Sequence, residues 1–450
     1  MDGKEHFLIN GKGSLSGEIE VRGCKNAATP IIAAALLTDE PCYIQNLPLV
    51  EDIFRMIEII ETLGAKVDWQ GEREIKIEAR NIDPSKMEEE IIKKLRSSVF
   101  LFGPLLPRFK KVKLRSPGGC LIGVRPIDAH LKGFEQIGAD IEKEGKYYVL
   151  FGDHLVPGEV ILPEFSVTAT ENILMAASLL SGKTIVKIAA IEPHVKDLSC
   201  VLSKMGAGIK WSENHTVEIN GQKKLHGFSH SLIYDPVEAG SFIILAGASR
   251  GDIVIRNAPL ENLDLVIQKL REFGISFEKL SPSPLAKPYH LKRKVKGKGD
   301  RVKEIQGISD VRIRSKKKLS PVQKIQVLPY PGIPTDLQCA FGVLATQNSG
   351  KTLIHDPMYE GRLRYLEELN KMGADISLLD IHRAIVNGPS RLQGISIKNY
   401  DLRSGAALII AGLIAEGKTS ISDAYQVDRG YEKIEDRLRS IGADIKRVKI

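Results

Sequence analysis

Cysteine is scarce in this chain. There are five in 450 residues (Cys24, Cys42, Cys120, Cys200 and Cys339), an odd number with no CxxC pair. That pattern argues against a disulfide framework or a bound metal and for a reducing cytoplasm. Long apolar runs are missing as well, since none reaches the length of a membrane span. The opening stretch MDGKEHFLING lacks the apolar core of a secretory signal, so a cytoplasmic protein without a membrane partner is expected. Net positive charge is lacking outside one segment. The total is +8, but Lys287–Lys318 holds 13 Lys or Arg against 3 Asp or Glu, a net of +10, which leaves −2 for the remainder. Basic character therefore belongs to that segment and not to the fold.

What is present in quantity is repetition. The phrases TLGAKV, QIGADI, KMGAGI, EFGISF, KMGADI and SIGADI recur with glycines at 64, 138, 206, 274, 373 and 442, in steps of 74, 68, 68, 99 and 69 residues. Each phrase closes an amphipathic helix on a left-handed Gly cap and leads into a strand. Upstream lie GKTIVKIA, GDIVIRNA, GKTLIHDP and GKTSISDA, whose glycines stand 24, 23, 23 and 25 residues before the next cap. Upstream again come stretches that are apolar nearly all round, such as TENILMAASLL, GSFIILAGAS and GAALIIAGLIA. A helix of that kind must be buried on every side.

A fixed period of this length marks a repeated supersecondary unit. Six copies predict an α/β protein of βαβαβ-type units, three to a domain, with buried inner helices and a ligand pocket between the two lobes. The step of 99 places about 30 extra residues in the fifth copy, coincident with the basic segment 286–318. A solvated loop or hairpin is the ordinary reading of that insert, and a nucleic-acid arm the lesser one.

One thiol stands apart. Cys120 lies in SPGGCLIGVRPID (116–128), a loop with glycines at 118, 119 and 123. Glycines give such a loop the freedom to act as a lid. A free thiol, with a pKa of about 8.5, can donate a proton at neutral pH or act as a nucleophile beside a cation such as Arg125. The other four cysteines are expected to be small buried hydrophobes.

Several phrases resemble the enolpyruvyl transferases: GCKNAATP (23–30), LRSSVFLFGPLL (95–106), SPGGCLIGVRPIDAHLKGFEQIGA (116–139), SVTATEN (166–172), IPTDLQCAF (333–341), DLRSGAALIIAG (401–412) and DRGYEKIEDRLRSIGA (428–443). The resemblance covers the whole chain except the basic insert. It is closest to the branch acting on UDP-N-acetylglucosamine. It implies one lobe from 1–24 with 234–450, which carries the chemistry, and a second from 25–233, which carries the 116–128 lid. The implied reaction moves the enolpyruvyl group of phosphoenolpyruvate to the sugar 3-hydroxyl and releases phosphate, with no cofactor or metal.

The resemblance also implies roles. Cys120 is the acid and Asp336 the base, although an N-cap is the plain reading of Asp336. Lys25, Asn26, Arg125 and Arg403 hold phosphoenolpyruvate, since a guanidinium fork matches an oxyanion. Lys25 and Arg403 also begin apolar helices, where anions are favoured. Arg96, Arg125, Pro126, Ile127, Asp128, Ala129, Ser166, Val167, Asp336 and Met358 contact the nucleotide sugar. Glu164 and Thr168 depart from the family's usual lysine and glycine, and Arg362 follows an unusual YEG. PGGCLIGVRPIDAH argues against the shikimate 3-phosphate branch, and retention of Lys25, Cys120, Asp336 and Arg403 argues against a non-catalytic RNA-binding paralogue. Cys120→Ser is expected to lower phosphate release by a large factor and Cys120→Asp to keep part of it, because a carboxylic acid also donates. Peptide mass spectrometry after treatment with an epoxide phosphonate should find the adduct on Cys120.

Overall fold

The structure is a computed structural model that describes residues 5–11, 13–93, 95–115, 122–123, 125–280, 308–315 and 318–449. Cys120 with most of the Gly-rich loop, and 281–307 of the basic segment, lie outside the described residues. Two compact units divide the chain: Met1–Arg22 with Tyr234–Ile450, and Gly23–Ile233. The crossings are tied inside each unit. Asp235 N–H donates to Arg22 O at 2.9 Å in the first, and Cys24 N–H to Ile233 O at 2.8 Å in the second.

Among the described residues each unit holds three sheets, and five of the six follow one plan. In the Gly23–Ile233 unit, strand Glu159–Ile161 leads into the inner helix Val167–Ser178 and then into strand Gly182–Lys187. The two strands pair in parallel, as a helical connection requires. The outer helix Pro193–Lys204 follows, and then an antiparallel hairpin, Gly208–Ser212 with Thr216–Gly221. In these five sheets the hairpin gives the repeat one strand more than a βαβαβ pattern. The exception is a three-stranded sheet, Lys111–Arg115, Tyr147–Phe151 and Asp140–Glu144, which lacks the parallel strand. In the other unit the chain termini close a sheet, because Glu5–Asn10 pairs antiparallel with Asp444–Lys449.

The six cap glycines all have positive φ, from 86° at Gly274 to 111° at Gly206, a region that L side chains seldom adopt. The inner helices are buried as their composition demands. All thirteen residues of Pro236–Ala248 are buried, and it packs with Thr335–Ala345 and Leu402–Ile414 at the centre of its unit. In the Gly23–Ile233 unit, Phe102–Phe109 touches both Lys25–Ala34 and Val167–Ser178. Outer helices bury one stripe only; Glu51–Thr62 hides Ile53, Met56, Ile57 and Ile60, spaced by three and four.

Two expectations need correction. Cys24, Cys42 and Cys339 are buried, but Cys200 is exposed, because it falls on the outer face of the amphipathic helix Pro193–Lys204. Burial pushes the Cys42 thiol up to about 12 and raises Cys339 well above its ordinary value, which leaves both inert.

The basic insert is shorter than 286–318. Ile308–Arg314 is a strand paired with Asp252–Pro259 and Ser276–Leu280. Its Val311 and Ile313 have no exposed surface. Two of its arginines serve the sheet, as Arg312 Nε donates to Asp252 Oδ1 at 2.6 Å and Arg314 Nε to Asp252 Oδ2 at 3.3 Å.

Replacing residues inside 281–307 by a short turn should therefore preserve folding to within about 1 kcal/mol, since loop length adds little closure entropy. A deletion that reaches residue 316 removes a central strand and should give protein without a cooperative thermal transition. Thermal melts of the two deletions, followed by circular dichroism, distinguish them.

Candidate active site

In the Tyr234–Ile450 part of its unit, two inner helices bring opposite charges together near their first turns. Arg403 is the second residue of Leu402–Ile414, and Asp336 is the second residue of Thr335–Ala345. Arg403 Nη2 lies 2.9 Å from Asp336 Oδ2. Arg362 takes the other carboxylate oxygen, with Nη2 3.2 Å from Asp336 Oδ1, and places Nη1 3.2 Å from Asp401 Oδ1. Its Nε donates to Thr335 Oγ1 at 3.1 Å, and that hydroxyl donates to Asp356 Oδ2 at 2.6 Å. Asp356 Oδ1 accepts the Met358 amide at 3.0 Å, which leaves the Met358 side chain exposed beside the cluster.

Asp336 is thus not an N-cap. Pro334 holds that position and makes no side-chain cap bond. The carboxylate is turned instead onto two guanidiniums. Asp401 is the true cap of its helix, accepting from the amides of Arg403 and Ser404 at 2.9 and 3.2 Å. Arg403 and Arg362 are 4% and 3% exposed, whereas the Asp336 side chain is 23% exposed and is the member that solvent or a ligand can reach. Burial works against the Arg403 charge, but Asp336, the Tyr431 oxygen and Asp235 more than offset it and hold the guanidinium above its ordinary pKa. Burial also raises the Asp235 carboxyl, with Arg403 acting against it. One atom is left over: Arg403 Nη1 is buried and has no hydrogen-bond partner among the described residues.

The Gly23–Ile233 unit carries the other named residues. Lys25 opens the helix Lys25–Ala34, and its Nζ lies 3.0 Å from Asp52 Oδ2, at the start of the outer helix Glu51–Thr62. Asn26 is next along the helix and part-exposed. This helix packs on the 3-10 segment that starts at Arg96, whose Nη2 donates to Pro126 O at 3.3 Å. Arg125 is half-buried, Ile127 is the buried N-cap of Asp128–Gln136, Asp128 is exposed and Ala129 buried. Ser166 caps Val167–Ser178, its Oγ accepting from Ala169 N–H at 3.4 Å, and Glu164 is exposed.

Thr168 has a role that the sequence did not reveal. Asn172 Oδ1 accepts the Gly103 amide at 2.8 Å, so Nδ2 is its donor, to Val99 O at 3.0 Å and to His130 Nδ1 at 2.8 Å. That assigns the remaining proton of His130 to Nε2, which donates to Thr168 Oγ1 at 2.8 Å. Burial, with a contribution from Arg96, lowers the His130 pKa to about 3, so the ring is neutral at physiological pH.

Sequence reading brought out Asp336 and Arg403, which the structure places in contact. It did not single out Tyr431, nor Asp401, Asp52 or Asp235, whose signal is weak: an acidic residue at a helix start reads as a cap whether or not it also holds a buried cation. Among the described residues, no group of three or more His, Cys, Asp or Glu is placed to hold a metal ion. No helix among them is long and apolar enough to cross a membrane.

Three sheet-and-helix repeats per unit, with polar side chains gathered where the inner helices begin, define the enolpyruvyl transferase architecture. The solved enolpyruvyl transferase NikO from Streptomyces tendae superposes with a TM-score of 0.86 over 100% of both chains at 21% identity, which speaks to the fold. Residues 9–438 match the family model for EPSP synthase (3-phosphoshikimate 1-carboxyvinyltransferase), and the chain belongs to that family. It is 37% identical to the UDP-N-acetylglucosamine 1-carboxyvinyltransferase of Finegoldia magna over 97% of each chain. It is 39% identical, over 99% of each chain, to UDP-N-acetylglucosamine 1-carboxyvinyltransferase 2 of Carboxydothermus hydrogenoformans.

One buried acid gives a pH test. Glu171, within Val167–Ser178, has no exposed surface, and neither carboxyl oxygen has a partner among the described residues. Burial, and secondarily the Glu192 carboxyl, raise its pKa well above the ordinary value. A raised native pKa contributes stability that is complete below the unfolded-chain value of about 4.3 and is lost as pH rises through the native one. The unfolding free energy from urea titrations should therefore fall as pH rises above about 4.3 in the wild type, at a limiting slope of about 1.4 kcal/mol per pH unit. Glu171→Gln should flatten that fall.

Proposed function

We propose that this chain transfers the enolpyruvyl group of phosphoenolpyruvate to the 3-hydroxyl of UDP-N-acetylglucosamine and releases phosphate. That is the first committed step of peptidoglycan precursor synthesis, carried out in the cytoplasm on small soluble substrates. The observation that carries the reading is the buried Arg403, held by Asp336 through one nitrogen while its Nη1 bonds nothing among the described residues. A guanidinium nitrogen sunk in protein without an acceptor is suited to an anionic ligand that brings one. Full-length identity of 37–39% to carboxyvinyltransferases supports the choice of acceptor sugar.

Addition and elimination then assign the residues. Cys120 gives a proton to the methylene carbon of phosphoenolpyruvate, and the adjacent carbon becomes cation-like. The sugar 3-hydroxyl oxygen bonds to that carbon while Asp336 takes its proton. The Cys120 thiolate then takes a proton back from the new methyl group as the carbon–oxygen bond to phosphate breaks, and phosphate departs. Lys25, Asn26, Arg125 and Arg403 hold the phosphate and carboxylate throughout. Arg96, Arg125, Pro126, Ile127, Asp128, Ala129, Ser166, Val167 and Met358 hold the nucleotide sugar. Asp336 suits the base role because it is the exposed end of an otherwise buried charge cluster.

Phosphate release from phosphoenolpyruvate, measured with UDP-N-acetylglucosamine and with shikimate 3-phosphate, tests the reading; turnover with the second acceptor alone would overturn it. Asp336→Asn should lower kcat by about 10²–10⁴-fold, the usual worth of a positioned base. Undiminished turnover in that variant would remove Asp336 from the mechanism.

A further inference from the structure

Arg403 can leave one nitrogen open only if something other than that nitrogen fixes the guanidinium plane. Asp336 fixes one end. On another side stands Tyr431, 2% exposed, with the guanidinium carbon 5.6 Å from its ring centre. Burial raises the phenol pKa, and the guanidinium charge, which favours the ionised phenol, acts against that rise. A phenol hydroxyl can donate or accept, and beside a cation only accepting is favourable.

Ser241 decides between the two. It lies in the inner helix Pro236–Ala248, 6% exposed, and its hydroxyl donates back to Val237 O at 2.9 Å. The same Oγ lies 2.8 Å from Tyr431 Oη. A serine has one hydroxyl proton, and it is committed to Val237. The shared bond must therefore run from the Tyr431 O–H to Ser241 Oγ, which leaves the phenol lone pairs to face Arg403.

We propose that Tyr431 is a positioning residue for the anion site, with its hydroxyl polarity set by Ser241 so that it accepts from the Arg403 side and keeps Nη1 free for ligand. Neither residue touches substrate in this scheme; both act through Arg403. The inference rests on the reading of Arg403 as an anion ligand and adds what orients it. The ligand chemistry is an oxyanion, a carboxylate or a phosphate. The consequence is selective, because misaligning Arg403 weakens the phosphoenolpyruvate end of the site and leaves the sugar nucleotide contacts in place.

The test uses Tyr431→Phe, Ser241→Ala and the double variant in the full chain. The measurements are KM for each substrate, kcat, and the inhibition constant of inorganic phosphate against phosphoenolpyruvate. Each single change should raise the phosphoenolpyruvate KM and the phosphate inhibition constant by about ten-fold, the loss expected for one hydrogen bond to a charged group. The KM for UDP-N-acetylglucosamine should stay near wild type, and kcat should fall less than KM rises. The double variant should be no worse than Tyr431→Phe alone, because Ser241 acts only through the phenol. Additive losses, equal rises in both KM values, or an unchanged phosphate constant would overturn the proposal. If Ser241→Ala does not fold, the split between substrates in Tyr431→Phe decides alone. A wild type without turnover would count against the proposed reaction rather than this one. Thermal stabilisation by inorganic phosphate, compared between wild type and Tyr431→Phe, is then the deciding measurement: a smaller shift in the variant supports the positioning role, and an equal shift overturns it.

Discussion

A guanidinium that hardly reaches water governs the arrangement around Asp336. Arg403 is 4% exposed and stands in the first turn of a helix, where the backbone already carries partial positive charge. An isolated charge there would be prohibitively costly, so the surroundings supply compensation. Asp336 pairs with it directly, Asp235 adds its field, and Asp401 caps the same helix while holding Arg362. Removing one partner of a buried pair typically costs about 3–5 kcal/mol, because the other charge remains. The cluster is thus a set of mutual obligations, and Arg403 Nη1, without a hydrogen-bond partner among the described residues, stands out against them.

The inner helices make such a cluster attainable. Apolar nearly all round, they bury their flanks against one another and leave polar groups to their ends. Each unit has three of them, so the chain has six starting points where a side chain can meet unsatisfied amides. Lys25 and Ser166 stand at such starts in the Gly23–Ile233 unit, and Asp336 and Arg403 in the other. Lys25 is matched by Asp52, as Arg403 is by Asp336. Each of these cations is held by a carboxylate from a different element of its own unit, so its position depends on tertiary packing and not on one helix alone.

The basic segment shows the limit of reading by composition. Its charge density made Lys287–Lys318 look like one surface excursion. Yet its last third joins a sheet, where Arg312 and Arg314 bind Asp252 and Asp310 accepts from Arg256 at 2.6 Å. The alternation in ISDVRIR, with Val311 and Ile313 turned inward, carries a period of two that the surrounding charge obscured.

Local patterns determined a great deal. Periodicity, Gly caps and apolar stretches specified six repeats, their element types and their boundaries at the cap glycines, because these depend on neighbours within a few residues. Motif resemblance singled out Lys25, Asp336 and Arg403 but not Asp52, the carboxylate that pairs with Lys25. Other features were beyond local reading. Glu5–Asn10 pairs with Asp444–Lys449 across the length of the chain. Cys200 faces outward although its neighbours on the helix are buried. Asp336 binds two arginines where the sequence reads a cap. A sequence states which groups are available within a turn of helix or a pair of strands. Only packing decides which of them lose water, and a buried charge takes its partner from whatever distant element the fold has brought against it.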